Sequence, residues 1–167
     1  PAQTLPTDSG SSMPNIASLA VGDWNNDGLP DVAAANIGAD SYTILLNNGA
    51  GSFGAPSVIE SGTNPEVVLT GDWNGDKKPD LITLATSTIQ VRLGDNLANF
   101  PSASMPSAAG CDTAKAFAVD VNQDSALDIV TVCRNATVRV LLGNGNGTFA
   151  SGDTAVVTLA AGLPTAA

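Results

Sequence analysis

The chain has 167 residues, enough for one ordinary domain with a real core, and a formal net charge of −10 with only six Lys and Arg. Those six form no cluster, which disfavours nucleic acid and anionic membrane surfaces as partners. There is no histidine, so the commonest general base and transition-metal ligand are missing.

Gly and Pro together number 27 (17 and 10) and divide short apolar stretches rich in Val, Ile, Leu and Thr. Such composition predicts strands and turns rather than helices. The first predicted strand is Ile16 to Val21, and after it comes an acidic loop, Asp23 to Asp31, reading Asp-Trp-Asn-Asn-Asp-Gly-Leu-Pro-Asp. A second strand at Val32 to Ala35, a third at Tyr42 to Leu46, a Gly/Asn turn ending in Phe53 and a weaker strand at Ser57 to Glu60 complete the unit.

The same order then returns twice. Strands at Glu66 to Thr70, Leu81 to Leu84, Ile89 to Leu93 and about 102 to 105 surround a loop at Asp72 to Asp80. Strands at Ala114 to Val119, Ile129 to Val132, Val138 to Leu142 and about 154 to 158 surround a loop at Asp120 to Asp128. The loop starts lie 49 and 48 residues apart (23 to 72, 72 to 120). The repeats are approximately 14–60, 61–107 and 108–158 of a single domain, with 159–167 a linker to a further repeat or a C-terminal tail. In the third strand of the second repeat, Gln90 and Arg92 point away from Ile89, Val91 and Leu93. Four short antiparallel strands per unit of about 50 residues predict an all-β fold of propeller-type blades.

Each loop reads Asp-x-Asn-x-Asp-x-x-x-Asp, and oxygen donors at this spacing suit a hard cation such as Ca²⁺. The first expected site is Asp23, Asn25, Asp27, Asp31 and the Leu29 carbonyl. The second is Asp72, Asn74, Asp76, Asp80 and the Lys78 carbonyl. The third is Asp120, Asn122, Asp124, Asp128 and the Ala126 carbonyl. These loops hold nine of the 16 acidic residues, and three Ca²⁺ would bring the charge from −10 to about −4, each ion adding two. An EF-hand is excluded because Ala34, Thr83 and Thr131 stand where its bidentate Glu is needed. The sixth loop position calls for a left-handed backbone, which Gly28 supplies but Lys77 and Ser125 do not without strain. Lys77 also places positive charge near its ion. The first site is therefore expected to bind tightest.

The residues resemble FG-GAP/VCBS repeats, found in integrin α-subunit propellers, bacterial surface proteins and fungal lectins. The likeness covers roughly residues 14 to 158 and includes Phe53-Gly54-Ala55-Pro56, the segment that names the repeat. It implies hairpin loops that bind Ca²⁺, up to three here.

Trp24 and Trp73 hold the second loop position, where Val121 stands in the third. A cover between blades is favoured for them over a sugar platform, and Phe53, Phe100 and Phe149 are expected in the core. Tyr42 has no counterpart in the other repeats. Cys111 and Cys133 allow a disulfide, two free thiols or a soft-metal pair. The pair is poor without a third ligand, and a disulfide is expected because the chain reads as extracellular. Counting back across the third loop places Cys133 opposite about Lys115.

No catalytic constellation stands out. The expected function is a non-catalytic, calcium-stabilised extracellular adhesion or recognition module binding a protein or glycan at a surface. A lectin with sugars at blade junctions and a structural subunit of a surface assembly are the alternatives. Three repeats leave blade faces uncovered, so self-association (two copies making six blades) or further repeats are expected to close the ring.

Overall fold

A computed structural model describes residues 15–85, 88–101, 103–104, 112–150 and 155–158. Among these residues all regular structure is β. Each repeat forms one four-stranded antiparallel sheet. The first contains β1 (Asn15–Gly22), β2 (Asp31–Ile37), β3 (Ser41–Leu45) and β6 (Ser57–Glu60), in that order across the sheet. A two-stranded ribbon of β4 (Asn47–Gly49) and β5 (Ser52–Phe53) interrupts it. The second contains β7 (Pro65–Gly71), β8 (Asp80–Ala85), β9 (Ile89–Arg92) and β10 (Ala103–Ser104), and the third β11 (Thr113–Val119), β12 (Asp128–Cys133), β13 (Thr137–Leu141) and β14 (Ala155–Thr158). The expected three blades are thus present. Cys111, residues 105–110 and the tail at 159–167 lie outside the described residues.

β7 touches β1 on one side and β11 on the other, so the first strands of the blades sit side by side. That is the radial arrangement of a propeller, with first strands innermost. Residues opposite one another in a sheet share a face, and the faces alternate along each strand. Each blade therefore has two faces to bury, and the core lies between blades.

Between blades one and two, Ala20, Trp24, Ala33, Ala35, Tyr42 and Ile44 meet Val68, Leu81 and Phe100. Between blades two and three, Val67, Trp73, Ile82, Leu84, Ile89 and Val91 meet Ala116, Ile129 and Leu141. Each junction thus takes a tryptophan from the earlier blade and a phenylalanine turn from the later one. The Trp73 and Phe149 ring centroids are 5.9 Å apart. Backbone bonds repeat the pattern: Ala98 N donates to Trp24 O at 2.9 Å and Gly147 N to Trp73 O at 2.8 Å. Both tryptophans are fully buried, as the structural reading of them required. Phe100 is buried and Phe149 partly so, whereas Phe53, on the outer side of blade one, is only half-buried.

Gly22 and Gly71 precede these tryptophan loops where side chains leave little room for a Cβ. A Cβ on Gly22 would stand 3.0 Å from Trp24 Cε2, and one on Gly71 would stand 2.5 Å from Leu127 Cδ1. Blade three has Val119 in place of the glycine and Val121 in place of the tryptophan.

Gln90 and Arg92 face away from Ile89 and Val91, but not into water. Gln90 is buried, and Arg92 reaches into the first junction, donating from Nη2 to Glu60 O at 2.7 Å. Its guanidinium carbon lies 5.8 Å from the Tyr42 ring centroid. Desolvation pushes the Tyr42 phenol well above its ordinary range, against a smaller lowering by Arg92.

Every first strand has a bulge near its start, between Ile16 and Ser18, Pro65 and Val67, and Thr113 and Lys115. The third one corrects the expected pairing of Cys133, which lies opposite Thr113 rather than Lys115. The pairing of Val119 with Asp128 accounts for one position of this shift toward Cys111, and the extra residue on the bulged strand for the other. Cys133 is disulfide-bonded.

Candidate metal sites

Each acidic loop joins the first two strands of its blade and is shaped by its own side chains. In the first, Asp23 accepts from Asp27 N (3.1 Å, Oδ1) and Gly28 N (2.9 Å, Oδ2). Asn25 Oδ1 also accepts from Asp27 N at 3.2 Å, and Asp27 Oδ1 accepts from Leu29 N at 2.8 Å. The second loop repeats these bonds, with Asp72 accepting from Asp76 N and Lys77 N, Asn74 from Asp76 N, and Asp76 from Lys78 N. The third does so through Asp120, Asn122 and Asp124. Sharing one amide draws the first and third side-chain oxygens together over the fifth residue.

Two left-handed residues per loop make this curl possible. They are Asn26 and Gly28 (φ 57° and 82°), Gly75 and Lys77 (79° and 66°), and Gln123 and Ser125 (64° and 73°). Lys77 and Ser125 adopt the conformation that Gly28 takes without a Cβ penalty.

The ninth-position aspartates do something the sequence did not announce. All three are fully buried, and each carboxylate ties its loop to the turn after the third strand. Asp31 accepts from Trp24 N (3.0 Å) and Asn47 N (2.8 Å). Asp80 accepts from Trp73 N (2.9 Å) and Gly94 N (2.8 Å), and Asp128 from Val121 N and Gly143 N, both at 2.8 Å. Aligning the repeats could have pointed to this, since Asn47, Gly94 and Gly143 each follow a leucine at the end of the third-strand segment.

Among the described residues, no three Asp, Glu, His or Cys side chains gather into a cage. What each loop brings together is two carboxylates and an Asn carbonyl, an all-oxygen set that fits a hard cation. A carboxylate oxygen has two lone pairs, so the ninth-position groups keep one per oxygen beyond their amide bonds. The residues therefore fit Ca²⁺ with Asp23, Asn25 and Asp27 (or their counterparts) as the exposed donors. Leu29, Lys78 and Ala126 stand at the seventh position, where backbone carbonyls would add to the set.

The loops differ electrostatically. Lys78, not Lys77, pairs with a ligand candidate: its Nζ is 3.5 Å from Asp76 Oδ2. Desolvation works against the Asp76 carboxylate, but the Lys78 amide, Asn74 and the Lys78 ammonium outweigh it and hold Asp76 below the ordinary range. For Asp80, burial wins. Desolvation pushes it up, Gly94 and Trp73 amides pull it back, and Asp76 and Asp72 add repulsion.

A cleft opens between successive loops at each junction. One of about 460 Å³ has Asp23 and Asn26 on one wall and Lys77, Lys78 and Pro79 on the other. Its counterpart, about 390 Å³, lies between Asp72 and Gly75 and the Asp124–Ala126 segment.

No curated protein sequence matches the chain. Among solved structures, an Agrocybe aegerita lectin described for specific recognition of non-reducing terminal N-acetylglucosamine shares its fold, with a TM-score of 0.55 and 21% identity. The likeness covers 83% of this chain but only 37% of the lectin. The FG-GAP-like repeat matches twice, over residues 23–83 and 72–131, each match running from one acidic loop through the next. Loops, blades and repeat spacing agree, and the chain belongs to the FG-GAP-like repeat family.

Proposed function

We propose that this chain is a calcium-stabilised, non-catalytic recognition module that works outside the cell. The observation that carries this reading is the threefold convergence of Asp, Asn and Asp oxygens, with the same amide bonds in every loop. Ca²⁺ would neutralise carboxylates that repel one another and so stiffen each hairpin. The ion's role is structural, and recognition falls to the surface that the stiffened loops present.

One observation favours a second reading, a lectin with sugars at blade junctions. The clefts between successive loops both carry charged side chains on their walls, recur at both junctions and have the size of a ligand site. The lectin-like fold supports it. Closure of the open arc, by self-association or further repeats, belongs to both readings.

A glycan array probed with the chain in Ca²⁺ and in chelator tests the proposal. Ligand capture lost in chelator is expected. Capture unaffected by chelator counts against the calcium role, and sharp selectivity for one glycan selects the lectin reading.

A further inference from the structure

The two junction clefts are built alike but lined differently. In the cleft of blades one and two, Lys77, Lys78 and Pro79 of the second loop stand opposite Asp23 and Asn26 of the first. In the cleft of blades two and three, Ser125 and Ala126 take the places of the two lysines, and Gly75 takes the place of Asn26. No cation lines that second cleft.

We propose that the cleft between the first and second loops binds an anionic saccharide, one bearing a carboxylate or a sulfate, with Lys77 and Lys78 holding the acidic group. The inference rests on the lectin reading above and adds the class of sugar. The loop itself does not call for the Lys77 side chain. The bond from Lys77 N to Asp72 is made equally by Gly28 and Ser125 in their loops, and the Lys77 side chain is exposed at a left-handed φ of 66°. Lys78 is held only by an exposed pair with Asp76 at 3.5 Å. Arg92 and Arg134, by contrast, are committed to Glu60 O and to the Glu66 and Asp112 carboxylates. A net charge of −10 repels anions from the chain as a whole, so any attraction has to be local, and these two ammoniums supply it.

The rest of the lining suits a sugar. Gly22, Gly71 and Pro79 offer apolar surface to the C–H face of a ring, and Asn26 offers an amide to its hydroxyls. Thr70 Oγ1 donates to Asp80 O at 3.1 Å and keeps lone pairs for a sugar hydroxyl. Without metal, Asp23 and Asp72 on the same walls oppose an anion. Ca²⁺ would offset their charge, and the anion would offset the two ammoniums beside the second loop. Each ligand then tightens the other by the same factor.

An array of uronate-, sialate- and sulfate-bearing oligosaccharides, each beside its carboxyl-reduced or desulfated counterpart, tests this in Ca²⁺. An acidic member should be captured about tenfold more tightly than its neutral counterpart. The variant Lys77→Gly/Lys78→Gln should lose that factor with an unchanged circular dichroism spectrum, since glycine relieves the left-handed strain and Lys78 is partly exposed. In calorimetry the captured oligosaccharide should tighten one Ca²⁺ site about fivefold or more in wild type but not in the variant. Equal capture of acidic and neutral members, a variant that binds as wild type does, or a Ca²⁺ affinity indifferent to the sugar overturns the proposal. Capture of polyglutamate as tight as that of the acidic glycans also overturns it, in favour of an acidic peptide. Capture of neutral glycans alone overturns the anionic class and leaves the lectin reading standing, whereas capture of no glycan overturns the lectin reading itself.

Discussion

Replacing Gly143 by alanine probes the tie between acidic loop and strand turn. A Cβ there would stand 2.1 Å from Leu127 O and 3.1 Å from its carbonyl carbon, so it meets backbone that cannot rotate away. Relief requires the turn to retreat by roughly an ångström. That would stretch the 2.8 Å bond from Gly143 N to Asp128 Oδ1 past hydrogen-bonding range. Overpacking costs about 1–3 kcal/mol. Losing a bond to a buried carboxylate costs about 1.5–3 kcal/mol. Together they predict about 4 kcal/mol, or a drop in Tm of about 8–16 °C for a chain of this size. Gly94→Ala should behave alike, because its Cβ would stand 2.2 Å from Pro79 O. The first repeat supplies the control. Asn47 already carries a side chain there, which donates to Pro30 O at 3.0 Å and accepts from Gly49 N at 2.9 Å. Asn47→Ala should lose only those bonds, about 0.5–1.5 kcal/mol each. Thermal unfolding in Ca²⁺ reads all three. A Gly143→Ala variant melting within about 2 °C of wild type would show that the turn absorbs the Cβ without losing its tie to Asp128.

Trp73→Ala should cost about 3–5 kcal/mol as a fully buried junction residue, against under about 1 kcal/mol for the half-exposed Val121→Ala. Equal losses in denaturant titrations would deny the junction its role. Lys77→Gly and Ser125→Gly should each stabilise by about 0.5–1 kcal/mol by relieving left-handed strain, while Gly28→Ala should cost about 1 kcal/mol. Both glycine variants melting lower than wild type would contradict this. For the metal-free chain, burial raises the folded pKa of Asp80 above its unfolded value. Its contribution is then fully present below the unfolded pKa and lost as pH rises through the folded one. Wild type should therefore lose ground to Asp80→Asn as the pH rises from about 3 to neutrality, and a flat difference would rule the burial effect out.

The blades were legible because short β-branched runs and Gly/Pro turns recur at fixed distance, and the loops because ligand spacing is written in side chains. What stayed hidden depends on the backbone or on the second face of each sheet. The bulges sit at Ala17, Glu66 and Ala114, residues with no shared chemistry, so nothing marked the shift that sets Cys133 opposite Thr113. Gln90 and Arg92 read as an outward face, yet a propeller blade is covered on both sides. The ninth aspartate could be recognised as an oxygen donor, but not as the acceptor of two amides, one from a turn 14 to 16 residues onward. Lys77 looked like the interfering charge because it occupies the strained position. Lys78 is the one whose side chain reaches Asp76.

The central claim is that the three loops bind Ca²⁺, and titration calorimetry of the chelator-stripped chain tests it most directly. Up to three ions should bind per chain, the tightest lost in Asp27→Ala and weaker ones in Asp76→Ala or Asp124→Ala, with Tm rising as the sites fill. A stripped chain that takes up no Ca²⁺ and melts at the same temperature with and without it would show that the loops are not calcium sites.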